Sequence, residues 1–282
     1  MRCEVSSASI KMSPAREGTV TPLLDVQHLS VTFERPGSTV TAVDDVNLTI
    51  SGGETLGLVG ESGSGKSVTA LAVLRLLQPP GRVTAGRVLF EGNDLLRLSE
   101  REMRSVRGGR ISLIFQEPMT ALNPTMRVGD QIREALTVHG VGGEESKRRT
   151  IELLDAVRIP EARQRARDYP HQLSGGMRQR VMIAIALACL PPLVIADEPT
   201  TALDVTIQAQ ILEMLGELKE RFNLALLLIT HDFGVIAEMA DRVAVMRGGR
   251  LVEEGPVRQI LRAPSHDYTR RLLSAVPGMG QR

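Results

Sequence analysis

The 282 residues are 42% hydrophobic, and 34 Lys and Arg against 33 Asp and Glu leave a net charge of +1. That balance, with no long basic block and 2% aromatic residues, argues against nucleic acid as the main partner, because such complexes rest on phosphate neutralisation and base stacking. The longest apolar region, Val181 to Ala196, is cut by Pro191-Pro192 and falls short of the roughly 20 residues of a membrane span; the two cysteines, Cys3 and Cys189, support neither a disulfide framework nor a metal cluster. The composition is that of a soluble globular protein of the cytosol, with Cys189 an inert thiol in an apolar helix.

Residues 1–21 are polar, with Pro14 and Gly18 and no apolar segment like that of a secretory signal, and read as a disordered lead-in in which Met12 is a second candidate start. From Leu23 the chain changes to short apolar alternations. Leu24 to Val26, Leu29 to Phe33 and, after the Pro36-Gly37 turn, Val43 to Ile50 predict antiparallel strands. Phe33, at the end of one of them, suits either a ring stacked on a purine or an edge-strand core residue.

A buried strand, Thr55 to Val59, then runs into Gly60-Glu61-Ser62-Gly63-Ser64-Gly65-Lys66-Ser67 and a helix over Val68 to Leu77. A glycine-rich turn between strand and helix aims several backbone N–H groups at one spot, and the helix N-terminus adds partial positive charge there. Lys66 then reaches the β- and γ-phosphates and the Ser67 hydroxyl can ligate Mg²⁺, which is why the pattern ends in GK[ST]. The chain binds a nucleoside triphosphate.

Beyond that helix, Gly81 to Glu91 predicts a strand, Leu98 to Val106 a charged helix, and Ile111 to Phe115 a buried strand ending at Gln116. A glutamine at the carboxyl end of a sheet strand can reach a metal or water near the γ-phosphate. Helical periodicity over Val128 to Val138 and Thr150 to Val157, broken by Gly140 to Gly143 and Pro160, interrupts the strand–helix alternation and predicts a separate helical subdomain within about 117–190.

Leu173-Ser174-Gly175-Gly176-Met177 opens a nearly all-apolar helix, a design that serves equally as an anion site or as a tight N-cap. Leu193 to Ala196 is a buried strand that stops abruptly at Asp197-Glu198. Asp197 is placed to hold Mg²⁺ and Glu198 to deprotonate an attacking water. Ala202-Leu203-Asp204 forms the next turn, and the buried strand Ala225 to Thr230 ends at His231, placed to contact a γ-phosphate. Two anion sites of different construction, one around Lys66 and one at Ser174, are hard to satisfy with one nucleotide inside one compact chain. Head-to-tail pairing of two chains satisfies both, with ATP between them.

Over roughly Leu23 to Gln259 these residues resemble the ATP-binding cassette (ABC) ATPases: A-loop candidate Phe33, P-loop Gly60 to Ser67, Q-loop Gln116, signature Leu173 to Met177, Walker B Leu193 to Glu198, D-loop Ala202 to Asp204 and H-loop His231. The resemblance implies an α/β fold: a P-loop NTPase core, RecA-like with a mixed sheet and an antiparallel β subdomain, spanning 22–258 with the helical subdomain inserted and 259–282 as a tail. Phe115 to Pro124 and Leu173 to Arg180 are similar to the ATPase subunits of dipeptide, oligopeptide and nickel importers, as is Ala263 to Thr269, with Asp267 where proline is usual.

That branch implies an ATPase that hydrolyses Mg-ATP to power uptake of peptides, with nickel or another small solute as the alternative and a nucleic-acid-directed ATPase more remote. ATP would contact Phe33, Gly60, Ser62, Gly63, Ser64, Gly65, Lys66 and Ser67, with Ser174, Gly175, Gly176 and Asp204 supplied across a dimer. Mg²⁺ would sit on Ser67, Gln116 and Asp197; Glu198, His231, Gln116 and Lys66 would serve the chemistry. Implied partners are two permease subunits, a second ATPase subunit and an extracytoplasmic solute-binding protein, at the cytoplasmic face of the inner membrane.

Overall fold

The structure, a computed structural model, describes residues 21–201 and 203–274. The expected lead-in thus lies outside the described residues except for Thr21, as does Ala202 of the turn before Asp204.

Ten strands occur among the described residues: β1 (Leu24–Arg35), β2 (Ser38–Ile50), β3 (Thr55–Val59), β4 (Gly81–Phe90), β5 (Asn93–Asp94), β6 (Ile111–Ile114), β7 (Leu193–Asp197), β8 (Ala225–Thr230), β9 (Arg242–Arg247) and β10 (Arg250–Pro256). They form two sheets. The first is antiparallel, in the order β2-β1-β4-β5; the second runs β10-β9-β3-β8-β7-β6, parallel throughout except for β10 at its edge.

The helices are α1 (Lys66–Val73), α2 (Glu100–Val106), α3 (Pro118–Ala121), α4 (Val128–Val138), α5 (Gly143–Ala156), α6 (Ala162–Arg165), α7 (Gly175–Ala186), α8 (Val205–Phe222), α9 (Phe233–Met239), α10 (Val257–Arg262) and α11 (Asp267–Ser274). Five of them, α3 to α7, stand between the neighbouring strands β6 and β7.

Continuous apolar runs become the central strands because both faces of the parallel sheet are covered. Along β7, Leu193 and Ile195 point to one side, where they meet Leu24, Leu48, Leu56 and Leu227 under the antiparallel sheet. Val194 and Ala196 point to the other, among Val181, Ile183, Ile211 and Phe233 of the helices. Gly57 lets α9 close onto β3, since a Cβ there would lie 2.5 Å from Ile236 Cδ1.

Several expected elements change on folding. The first two expected strands are one, β1, which carries register shifts between Val26 and Leu29 where His28 takes a left-handed φ of 50°. β6 stops at Ile114, and Phe115 is 44% exposed over an apolar groove between the sheet and α7 rather than buried in the strand. α5 starts at Gly143, not Thr150, and its extra turns are held by Lys147–Glu144, Arg148–Glu145 and Arg148–Glu152 ion pairs at helical spacing. The expected boundary at 258 falls inside α10, and beyond it α11 buries Tyr268 and Leu273 against the core.

Candidate active site

Strand register assembles the site. Val59 lies opposite Thr230, Ile229 opposite Asp197, and Ala196 opposite Ile114, so β3, β8, β7 and β6 end level. The chain leaving those ends delivers the glycine-rich turn, His231, Asp197-Glu198 and Gln116 to one carboxyl edge, the ligand edge of open α/β sheets. A cavity of about 490 Å³ opens there, lined by Ser62, Gly63, Gly65, Lys66, Ser67, Gln116, Glu198 and His231.

The turn is wedged in place by backbone. Gly65 has φ 109°, and a Cβ on it would lie 2.5 Å from the Ala42 carbonyl oxygen and 2.7 Å from Met246 Cε. The Ser64 carbonyl accepts from Gly249 N–H at 2.9 Å, and the Gly249 carbonyl from Asp44 N–H at 2.8 Å, tying the β9–β10 hairpin and β2 to the loop.

Lys66 is 5% exposed, and its ammonium donates to the carbonyls of Gly60 at 2.8 Å and Glu61 at 3.0 Å. Burial pulls its pKa below the usual lysine range, against the opposing pull of Glu198 and Asp197. Ser67 Oγ donates to Asp197 Oδ1 at 3.0 Å. Burial raises the Asp197 carboxyl above its ordinary value, helped by the charge of Glu198, while Ser67 and Lys66 oppose. A hydroxyl and a carboxylate side by side are hard oxygen donors suited to Mg²⁺, which keeps few protein ligands and fills its octahedron with water and phosphate. No cluster of three or more His, Cys, Asp and Glu able to hold a metal is present among the described residues.

Glu198 sits at the centre. Its backbone takes a left-handed φ of 47°, with its N–H donated to the Ile229 carbonyl at 2.9 Å. A non-glycine residue held in that region is strained, and here β8 fixes it. Its carboxylate accepts from Thr201 Oγ1 at 2.7 Å and Gln116 Nε2 at 3.1 Å, and faces His231 Nδ1 at 3.3 Å. Sequence reasoning missed Thr201; the available signal was a hydroxyl three residues beyond the acid, returned to it by the turn in which Thr201 N–H donates to the Glu198 carbonyl.

Eight expected residues do not line the cavity: Gly60, Ser64 and Asp197 stand behind it, bonded to Lys66 or Ser67, and Phe33, Ser174, Gly175, Gly176 and Asp204 have other contacts. Ser174 N-caps α7, accepting from Met177 N–H at 3.3 Å, with Gly175 and Gly176 in the first turn against the start of α8. Asp204 N-caps α8 through Ile207 N–H at 3.0 Å. Phe33 faces Gly81 across the β1–β4 pair, where a Cβ on Gly81 would lie 2.6 Å from its ring, so in this chain it fills the antiparallel sheet rather than the cavity.

The fold and the cavity define a nucleoside-triphosphate-binding α/β protein built on a phosphate loop. Residues 43–201, more than half of the chain, match the family described as ABC transporter. The oligopeptide transport ATP-binding protein OppD of Salmonella typhimurium is 55% identical over 256 residues, covering 90% of this chain and 76% of that protein; OppD of Bacillus subtilis is 54% identical over 92% of this chain and 73% of that protein. The ATP-binding cassette MJ0796, solved as a dimer in a post-hydrolysis state with ADP and Pi, superimposes with a TM-score of 0.75 at 30% identity, covering 83% of this chain and 99% of that one. CbiO1 from Clostridium perfringens, part of the ABC transporter complex cbiONQ, gives a TM-score of 0.72 at 25% identity over 86% of this chain and 96% of that one. The chain belongs to the ABC transporter family, as one of its ATP-binding, ATP-hydrolysing subunits. None of the described helices is long and apolar enough to cross a membrane.

Proposed function

We propose that this ATPase powers peptide uptake from the cytoplasmic face of the cell membrane, seated against two permease subunits that an extracytoplasmic binding protein supplies with solute. The names of its relatives, oligopeptide transport and peptide import ATP-binding proteins, favour peptides over nickel. The groove between sheet and helices, about 230 Å³ and bordered by Leu113, Phe115, Leu122 and Met182, suits an apolar permease segment.

In this reading the phosphates of ATP rest on the turn from Gly60 to Ser67, with Gly63 and Gly65 giving them close approach and Ser62 and Ser64 flanking them. Lys66 moves from the Gly60 and Glu61 carbonyls to the β- and γ-phosphates. Ser67, Asp197 and Gln116 are the residues that would hold Mg²⁺, which when bound offsets phosphate charge. Glu198, aligned by Thr201 and Gln116, takes the proton of the attacking water, and His231 steadies the γ-phosphate. The Ser174-Gly175-Gly176 tip and Asp204 of a second ATPase subunit close the far side of the nucleotide, as expected of two anion sites that do not share one cavity.

The observation that carries this reading is Glu198 held by three partners in the same cavity as Lys66 and Ser67, with Asp197 bonded to Ser67. Loss of a general base costs about 10²–10⁴ in rate. Glu198→Gln is therefore expected to keep ATP affinity while turnover of the purified chain falls by about that factor; near-normal phosphate release refutes the role. In the assembled transporter, ATPase activity should rise with peptide-loaded binding protein and stay flat with Ni²⁺.

A further inference from the structure

Helix α11 reaches back to the phosphate loop across more than two hundred residues of sequence. The Tyr268 hydroxyl accepts a hydrogen bond from Glu61 N–H at 3.2 Å, and Tyr268 as a whole is 4% exposed. Glu61 also offers one of the two carbonyls that hold the Lys66 ammonium, so Tyr268 and Lys66 grip the same short piece of loop from outside and inside. The outer wall is continuous: a Cβ on Gly60 would lie 2.1 Å from the Met246 carbonyl oxygen, and the Arg247 guanidinium lies 4.9 Å from the centre of the Tyr268 ring. The helix start is itself anchored, because Glu253 accepts from Ser265 N–H at 2.6 Å, Ser265 Oγ at 2.8 Å and His266 N–H at 3.2 Å.

We infer that Tyr268 is a positioning residue for nucleotide binding, holding the Glu61 peptide so that the loop keeps its phosphate-accepting shape when Lys66 leaves the Gly60 and Glu61 carbonyls for the nucleotide. The inference rests on the reading of this loop as the ATP site. A loop that loses an outside tether must be ordered by the ligand, and that ordering weakens binding. The hydroxyl is bonded to the Glu61 N–H and does not line the Lys66 cavity, so the rate of the bound complex is expected to be unaffected.

The test compares wild type, Tyr268→Phe, Glu253→Ala and Lys66→Ala in the full chain, using a fluorescent ATP analogue with Mg²⁺, steady-state hydrolysis, thermal melting and amide exchange. One hydrogen bond is worth about 0.5–1.5 kcal/mol, or roughly two- to tenfold in affinity. Tyr268→Phe is expected to raise Kd and KM for ATP by that factor with kcat unchanged, and to speed exchange at the Glu61 amide. Glu253→Ala, which frees the start of α11, should move Kd the same way. An unchanged Kd in a folded Tyr268→Phe chain, or a loss confined to kcat or to melting temperature, overturns the inference. Lys66→Ala should abolish binding; wild-type affinity in that variant overturns the ATP-site reading itself, a distinct result.

Discussion

Thr201 shows what a single hydroxyl does here. It donates to Glu198 at 2.7 Å and holds the carboxylate in the rotamer that also meets Gln116 and His231. Hydrogen bonds to charged groups contribute about 1.5–3 kcal/mol. If alignment of the base is what Thr201 supplies, Thr201→Ala lowers turnover by about 10- to 100-fold at constant ATP affinity, and Thr201→Ser restores most of it; steady-state kinetics on the three chains checks this. Glu198 and Asp197 were legible because a fully apolar strand that ends in two acids has little reason to do so away from a site. Thr201 was not, since its role depends on a turn and a left-handed residue that hydropathy does not record. Phe33 was ambiguous for a related reason: strand-end position does not say which face the ring takes.

Among the elements, the start of α7 illustrates why Ser-Gly-Gly reads two ways. Gly176 lets α8 approach, since a Cβ on it would lie 2.8 Å from Ile207 Cγ2. Gly176 therefore has a packing reason to be glycine in the isolated chain, alongside the proposed one across a dimer, whereas a Cβ on Gly175 would meet only Leu203 Cδ2 at 3.8 Å. Overpacking typically costs about 1–3 kcal/mol. Gly176→Ala is expected to lower stability within that range by denaturant titration, and Ile207→Ala in the same chain to recover part of it, a coupling that a double-mutant cycle measures. Strands β3, β7 and β8 and helix α4 were legible from uninterrupted apolar runs or clean helical spacing. The first turns of α5 were not, because Glu144, Glu145, Lys147 and Arg148 stabilise the helix through ion pairs on a solvated face and leave no apolar stripe to read. Tyr268 lay in a stretch whose family likeness was visible in Ala263 to Thr269, yet its contact with Glu61 is set by the path of α11 over the core.

For the molecule as a whole, the Ser174 tip does not line the Lys66 cavity, and Val205, between the Leu203 and Ile207 that pack on that tip, is 83% exposed. An exposed β-branched residue next to a helix tip that caps nothing but its own backbone suits a face that pairs. Glu198→Gln chain with Mg-ATP is expected to elute at twice the monomer mass, and to return to monomer mass when Lys66→Ala is added; light scattering after gel filtration reads both. A monomer under the first condition removes the shared-site reading.

The five helices α3 to α7 join the sheet through two segments, one leaving the carboxyl end of β6 and the other entering the amino end of β7. Adjacent parallel strands thus attach that bundle at opposite ends of the sheet, like a door whose upper and lower pins share one jamb. A swing of that bundle is expected to pivot about a line parallel to the strands, carrying the first turn of α7 sideways while the rest of that helix stays packed on the sheet. Phe115 to Glu117 form one of the pins, so a ligand that draws Gln116 away from Glu198 is expected to pull on the door at its hinge.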